Sequence, residues 1–359
     1  MKKSVELKTG VLQIENFTNE LDSLIDFGSR MNQKRGFLFV SKVLGKHLPT
    51  SPVAMRENFK NLSDLIVKNV DLEKPTLFIG FAETATALGQ GVFEELDLSN
   101  SLYLHTTRYH TSKEKLLEFK EEHSHAPSHI LYKPDFPLHK IENIVLIDDE
   151  ISTGKTTLNI VKELKTLFPN SKYFSVSMLD WSGIEGDEVK FSSLYSGKFS
   201  FQKGEYSVQK KLVSERNEPK NLDSILNTNF GRYGVRGKLD IDFSEFIDYK
   251  EFHGQTILIV GTSEFMFVPY LLSKYLSEKG IDVYFQATTR SPINIDGVIE
   301  NKISFKDNYF EEIDNFLYNI IDMSYEQIII CYETSELPKS FQLRKILEAE
   351  NFLVKEIVF

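Results

Sequence analysis

Cysteine is nearly absent: Cys331 is the only one in 359 residues. A single thiol closes no internal bridge, which excludes a disulfide-stapled scaffold and points to a reducing compartment. Long apolar runs are missing too. No stretch approaches the roughly 20 apolar residues of a membrane helix, and Met1-Lys2-Lys3-Ser4-Val5-Glu6 leads into no apolar signal segment. Positive charge is short. Lys+Arg 42 against Asp+Glu 52 leaves a formal net charge of −10, which argues against generic binding to nucleic acid or acidic membranes. A soluble, cytoplasmic protein is expected. With 41% hydrophobic and 26% charged residues, a mostly disordered chain is excluded. The length exceeds what one hydrophobic core supports, so two domains are expected.

Two local biases stand out against this background. Residues 27–56 carry Arg30, Lys34, Arg35, Lys42, Lys46 and Arg56 and no acid. Such a run is either a solvated face or an edge that steers a phosphorylated ligand or a nucleic acid onto an acidic protein. The segment 105–139 holds His105, His110, His123, His125, His129 and His139. No carboxylate or cysteine repeats at a zinc-ligand spacing, so a polar loop beside a site is expected rather than a zinc centre.

Periodicity predicts helices over 58–70, 83–96 and 156–168, and strands over 76–80, 101–107, 144–147 and 172–179. Between them, 108–139 reads as a long polar connection with a short helix near 113–122. Long irregular connections inside compact domains are usually functional. After a polar stretch at 203–255 the alternation resumes. Strands are expected at 256–260, 283–287, 327–332 and 352–359, and helices at 264–279, 310–321 and 340–350. Strands alternating with helices imply parallel sheets. The expected architecture is an α/β domain over 1–205, an interdomain segment over 206–255 and a smaller α/β, Rossmann-like domain over 256–359.

The most informative segment is Val145-Leu146-Ile147-Asp148-Asp149-Glu150-Ile151-Ser152-Thr153-Gly154-Lys155-Thr156-Thr157. Gly154-Lys155-Thr156 is not a nucleotide P-loop, because that motif needs another glycine where Asp149 stands. Ser152 to Thr156 open a helix, so backbone N–H groups, hydroxyls and the helix dipole can cradle a phosphate. Asp148 and Asp149 leave the carboxyl end of a strand, where open α/β sheets bind ligands. Two carboxylates there suit the vicinal hydroxyls of a sugar. Gly80-Phe81-Ala82-Glu83-Thr84 and Thr106-Thr107-Arg108 end the two preceding strands. The lone Trp181 follows the fourth strand, placed either to stack on a base or to pack in the core.

The long segment resembles the phosphoribosyl-pyrophosphate (PRPP) loop of type I phosphoribosyltransferases. The resemblance implies that Asp148 and Asp149 hold ribose hydroxyls and, indirectly through PRPP or water, Mg2+. It implies that Ser152, Thr153, Gly154, Lys155 and Thr156 hold the 5′-phosphate. Ala82, Glu83 and Thr84 would form the pyrophosphate loop, and Arg108, opening a mobile lid over 108–130, would neutralise departing pyrophosphate. Glu150 stands where many members carry an apolar residue, and Ser152 where several carry Asp or Thr.

Phe285-Gln286-Ala287-Thr288-Thr289-Arg290-Ser291-Pro292, Ile257-Leu258-Ile259-Val260-Gly261-Thr262-Ser263-Glu264 and Asn227-Thr228-Asn229-Phe230-Gly231-Arg232-Tyr233-Gly234 look like the TRSP domain. That domain accompanies phosphoribosyltransferase-like domains in bacterial operons linked to tellurite resistance and stress. The resemblance implies N-glycosidic bond formation from Mg–PRPP on a base-like nitrogen acceptor, in making a nucleoside-like metabolite. It also implies a homodimer and partner enzymes of the same pathway. A regulatory module that binds PRPP or a nucleotide without turnover is the alternative. Gly261, Thr262 and Ser263, with Arg290 closing over them, are a candidate anion site in the second domain.

Overall fold

The computed structural model describes residues 1–31, 35–119, 129–138, 140–206, 220–226, 228–321 and 323–359. The chain forms two compact units, and neither is a continuous stretch. One comprises Met1–Met55, Lys198–Glu218 and Asp242–Phe359; the other Arg56–Gly197 and Pro219–Ile241. This partition differs from the linear one expected from the sequence, because the N-terminal strands are counted with the C-terminal sheet.

The first unit begins with β1 (Lys3–Leu7), β2 (Gly10–Glu15), α1 (Asn19–Leu24), β3 (Ile25–Ser29) and β4 (Phe37–Ser41). The second holds most of α2 (Pro52–Asn69), then β5 (Thr76–Gly80), α3 (Ala85–Leu96), β6 (Ser101–His105), β7 (Lys115–Phe119) and β8 (His129–Tyr132). It continues with β9 (Asn143–Ile151), α4 (Lys155–Leu167), β10 (Lys172–Asp180) and β11 (Lys190–Ser196). The chain then re-enters the first unit with β12 (Lys198–Lys203), β13 (Thr256–Gly261), α5 (Phe267–Glu278), β14 (Asp282–Ala287) and β15 (Lys302–Lys306). It ends with β16 (Asp314–Tyr318), β17 (Gln327–Tyr332), α6 (Leu343–Ala349) and β18 (Leu353–Val358).

In the second unit, β11-β10-β9-β5-β6 form a five-stranded sheet, parallel at every pairing. Residues 77–79 and 144–147 are fully buried whichever face they point to, as in a parallel sheet covered on both sides. The winding direction reverses between β5 and β9. There β9 outruns its neighbour: Gly80 pairs with Ile147, while β9 continues beside β10 until Ile151 meets Asp180. The overhang carries Asp148 and Asp149, so the strand extends four residues past the 144–147 expected from the apolar run.

In the first unit, β14-β13-β17-β18 form a parallel sheet whose winding reverses between β13 and β17. Thr50 bridges to Phe285 at the sheet edge. Leu38 and Val40 of β4 pack with Ile293, Ile299, Phe316 and Tyr318. β1, β2 and β12 make a separate antiparallel sheet.

Two expected helices are strands. Residues 115–119 pair as β7 with β8, and 314–318 pair as β16 with β15. In the second case Phe310 and Glu312 have φ of 61° and 58°, values no right-handed helix accepts. The Asp307 carboxylate accepts the N–H groups of Tyr309, Glu311 and Ile313, turning the chain into a loop instead.

Candidate active site

Three loops meet at the carboxyl end of the five-stranded sheet. The first leaves β9. Asp148 and Asp149 are half-buried neighbours on this strand. The Asp149 N–H donates to Asp148 Oδ1 at 2.9 Å. Ser152 to Gly154 form the turn, and α4 begins at Lys155. Gly154 adopts φ 68°, which favours glycine, and a Cβ there would lie 2.4 Å from Ile184 Cδ1. The Leu158 N–H donates to Gly154 O at 2.9 Å. The N–H groups of Lys155 and Thr156 therefore stand ahead of the helix ladder, at the positive end of its dipole.

The second loop leaves β5. A Cβ on Gly80 would lie 2.5 Å from Tyr103 Oη, so the strand ends in a residue that lets the β6 tyrosine close over it. Ala82–Glu83 is a cis peptide. The Phe81 N–H donates to Ile147 O at 3.1 Å, tying this loop to β9 just before Asp148. The Ala82 N–H donates to Thr106 Oγ1 at 2.9 Å, tying it to the third loop. Ala82 and Glu83 are buried and Thr84 is half-buried.

The third loop leaves β6. Thr107 and Ile130 exchange backbone hydrogen bonds at 2.8 Å each, so the segment after β6 is pinned to the β7–β8 hairpin. His129 Nδ1 lies 3.1 Å from Thr106 Oγ1. Arg108 Nη1 lies 3.9 Å from Glu83 Oε2. The structure thus brings together Arg108 and the 82–84 loop. Of the lid expected over 108–130, residues 120–128 lie outside the described residues.

Arg232, not among the expected site residues, packs beside the third loop. It is 2% exposed, its Nε donates to Thr107 Oγ1 at 3.3 Å, and its guanidinium lies 5.9 Å from the Tyr109 ring centroid. Its segment is held by Val235, which pairs with Tyr103 of β6. The only sequence signal was the glycine-flanked string around it.

Residues 24–196 match the model of a phosphoribosyl transferase family, and residues 231–349 match the model of a TRSP domain found C-terminal to it. The chain belongs to the phosphoribosyltransferases with a C-terminal TRSP domain. Both matches follow chain order, so Arg232 lies in the TRSP match while packing in the second unit. A hypoxanthine/guanine phosphoribosyltransferase of Methanobrevibacter ruminantium is 32% identical over 114 residues, 31% of this chain. The chain spans 56% of that relative's length. Similar solved structures include adenine phosphoribosyltransferases. The Trypanosoma brucei enzyme has TM-score 0.35 and 15% identity, covering 50% of this chain and 78% of that one. The Thermoanaerobacter pseudethanolicus enzyme has TM-score 0.39 and 15% identity, covering 50% and 98%.

Other sequence candidates sort differently. Trp181 packs edge-on against Tyr195 at 5.5 Å and is 7% exposed, a core position. The basic run at 27–56 is used piecemeal: Lys42 donates to Asp22 O, Arg56 pairs with Glu95, Arg30 reaches Ser291 Oγ and Lys46 is buried. Lys34, His123, His125 and His139 lie outside the described residues. Among the described residues no three His, Cys, Asp or Glu side chains are grouped to hold a metal ion. Asp148 and Asp149 offer the oxygen donors that Mg2+ accepts alongside substrate oxygens and water. Gly261, Thr262, Ser263 and Arg290 lie in the first unit, at the end of its parallel sheet. No helix among the described residues is long and apolar enough to cross a membrane.

Proposed function

We propose that the second unit transfers a phosphoribosyl group from Mg–PRPP to a nitrogen nucleophile, a base-like acceptor of a nucleoside-like biosynthesis. The observation that carries this reading is the β9 overhang. It holds two carboxylates between a helix-opening turn suited to a 5′-phosphate and the 82–84 loop with Arg108, suited to pyrophosphate. In this reading the C1–O bond to pyrophosphate breaks, a C1–N bond forms, and the acceptor nitrogen loses its proton.

The ribose centre becomes cationic as the leaving group departs. Rate then comes from positioning and from neutralising the leaving pyrophosphate. Asp148 and Asp149 accept hydrogen bonds from the ribose hydroxyls. Residues 152–156 anchor the 5′-phosphate with N–H groups and hydroxyls. Arg108 stabilises charge on pyrophosphate, while Glu83 beside it holds the guanidinium in place. Bound Mg2+ would supply further neutralisation of pyrophosphate oxygens.

Pyrophosphate release from Mg–PRPP across a panel of purine, pyrimidine and simpler nitrogen bases tests the reading. One acceptor should give stoichiometric pyrophosphate and a product heavier by one phosphoribosyl group. PRPP binding without release on any acceptor would make the unit a sensor. Asp148→Asn and Asp149→Asn variants that bind PRPP as tightly as the parent protein would overturn the site itself.

A further inference from the structure

One side chain holds the residues on both sides of Arg108. Thr107 Oγ1 accepts the Tyr109 N–H at 3.1 Å, which closes a turn across Arg108. The same oxygen accepts Arg232 Nε at 3.3 Å, and the Arg232 guanidinium lies 5.9 Å from the Tyr109 ring centroid. Thr107 and Tyr109 are fully buried, while Arg108 between them is half-buried. The Tyr109 carbonyl also accepts Tyr132 Oη at 3.0 Å. The backbone at Arg108 is thus held from two directions, and its guanidinium extends toward Glu83.

Arg232 itself is presented on a braced loop. Asn229 Oδ1 accepts the N–H groups of Gly231 and Tyr233, both at 3.1 Å, and Asn229 Nδ2 donates to Gly234 O at 2.7 Å. The Gly234 N–H donates to Gly231 O at 3.1 Å. One amide side chain therefore spans the loop on either side of Arg232. Gly231 has φ 122°, and a Cβ there would stand 2.9 Å from Gln90 Oε1 and 3.0 Å from His105 Cδ2. The chain passes this closely between α3 and the end of β6, and Val235 then pairs with Tyr103. Every one of these partners belongs to the second unit.

Packing alone does not call for an arginine here. Taking a guanidinium out of water is costly, and an apolar side chain of similar volume often holds a buried position as well or better. What the arginine adds is a directed donor to Thr107 and a positive charge beside the turn that carries Arg108. Both suit a loop that receives a polyanion.

We infer that Arg232 is a positioning residue: by holding Thr107 and Tyr109 it fixes the backbone from which Arg108 meets the leaving pyrophosphate. The inference rests on the transferase reading. It adds that a segment within the TRSP match completes the pyrophosphate side of the site.

Isothermal titration of the full chain with inorganic pyrophosphate and Mg2+, and separately with ribose 5-phosphate, tests it. Arg232→Met keeps a long side chain against Tyr109 and removes the donor to Thr107. It should weaken pyrophosphate binding by about tenfold, within the coupling range of contacting residues. Ribose 5-phosphate, which would meet 148–156 instead, should bind at parent strength. In an Arg108→Ala background the same substitution should cause no further loss. Arg232→Lys, which restores a donor, should recover part of the affinity. Asn229→Ala opens the brace with both arginines kept. It should weaken pyrophosphate alone by a smaller factor, and it serves if Arg232→Met does not fold. Pyrophosphate bound as tightly by Arg232→Met as by the parent protein overturns the inference. So does an equal loss of both ligands, the mark of a merely structural role, or a full further loss in the absence of Arg108. A parent protein that binds neither ligand overturns the transferase reading itself, and the inference with it.

Discussion

Gly154→Ala probes the turn proposed for the 5′-phosphate with a single methyl group. The residue sits at φ 68°, where an L side chain costs about 1–2 kcal/mol. The new Cβ would also stand 2.4 Å from Ile184 Cδ1. Ile184 is half-buried and can yield by leaving its rotamer well, at about 0.5–1.5 kcal/mol. The sum is a loss of roughly 1.5–3.5 kcal/mol, confined to the second unit. Trp181 is the only tryptophan and lies in that unit, its backbone N–H donating to Ile151 O at 2.8 Å. Its fluorescence therefore follows the unfolding of the unit that carries the turn. In an Ile184→Ala background the steric share disappears and the same substitution should cost only about 1–2 kcal/mol, leaving a coupling near 1 kcal/mol. PRPP should bind about tenfold more weakly for each 1.4 kcal/mol that the reshaped turn loses in phosphate contact. A Gly154→Ala protein as stable as its parent would refute the left-handed turn. Equal costs in both backgrounds would refute the contact with Ile184.

Arg108→Ala should slow pyrophosphate release by about 10²–10³-fold, the range for removing one transition-state donor, with Arg108→Lys recovering part of it in the same assay. Lys46→Met leaves Ser263 O and Thr288 O without their buried donor, and should cost the first unit about 2 kcal/mol. Burial pushes the Cys331 thiol up and hides it completely, so native alkylation requires opening. Its labelling should quicken by about 30-fold in Lys46→Met for that loss. Burial, with a smaller contribution from Lys115, holds His110 below the ordinary histidine value. The unfolded chain therefore binds this proton more readily than the folded one. The stability His110 contributes is complete above about pH 6.5 and falls as pH drops below it. Trp181-monitored melts of His110→Asn should show a shallower decline below that pH than the parent protein.

All strands of the two parallel sheets except β11 were legible because each is an apolar run bounded by turns, as at 144–147 and 256–260, whereas β11, Lys190–Ser196, alternates polar residues at the sheet edge and went unforeseen. The residues proposed to hold a phosphosugar stand out in the sequence because they are contiguous: Val145 to Thr157 lie on one strand, turn and helix. What was lost depends on distant pairing. β2 meets β12, whose residues lie far along the chain, and its six residues carry no local mark of that. The apolar spacing of Phe310, Ile313, Phe316, Leu317 and Ile320 fits a helix, yet the Asp307 carboxylate and pairing with β15 overrule it. Lys46 and Arg232 are brought to their clusters by segments remote from the residues they bond, and no periodicity forecasts that.

The interrupted make-up of the first unit bears on how the protein is made. Residues 56–241 supply the whole second unit, which has every strand of its parallel sheet as soon as that stretch leaves the ribosome. The 55 residues synthesised before it must wait. Leu38 and Val40 find Ile293, Ile299 and Phe316 only after well over 200 further residues have been added, and until then β3 and β4 present apolar surface and open edges. At about 5–20 residues per second the delay is tens of seconds. β3 and β4 are thus sheltered only after the second unit is complete, and during that interval their apolar surface is open to chaperone capture.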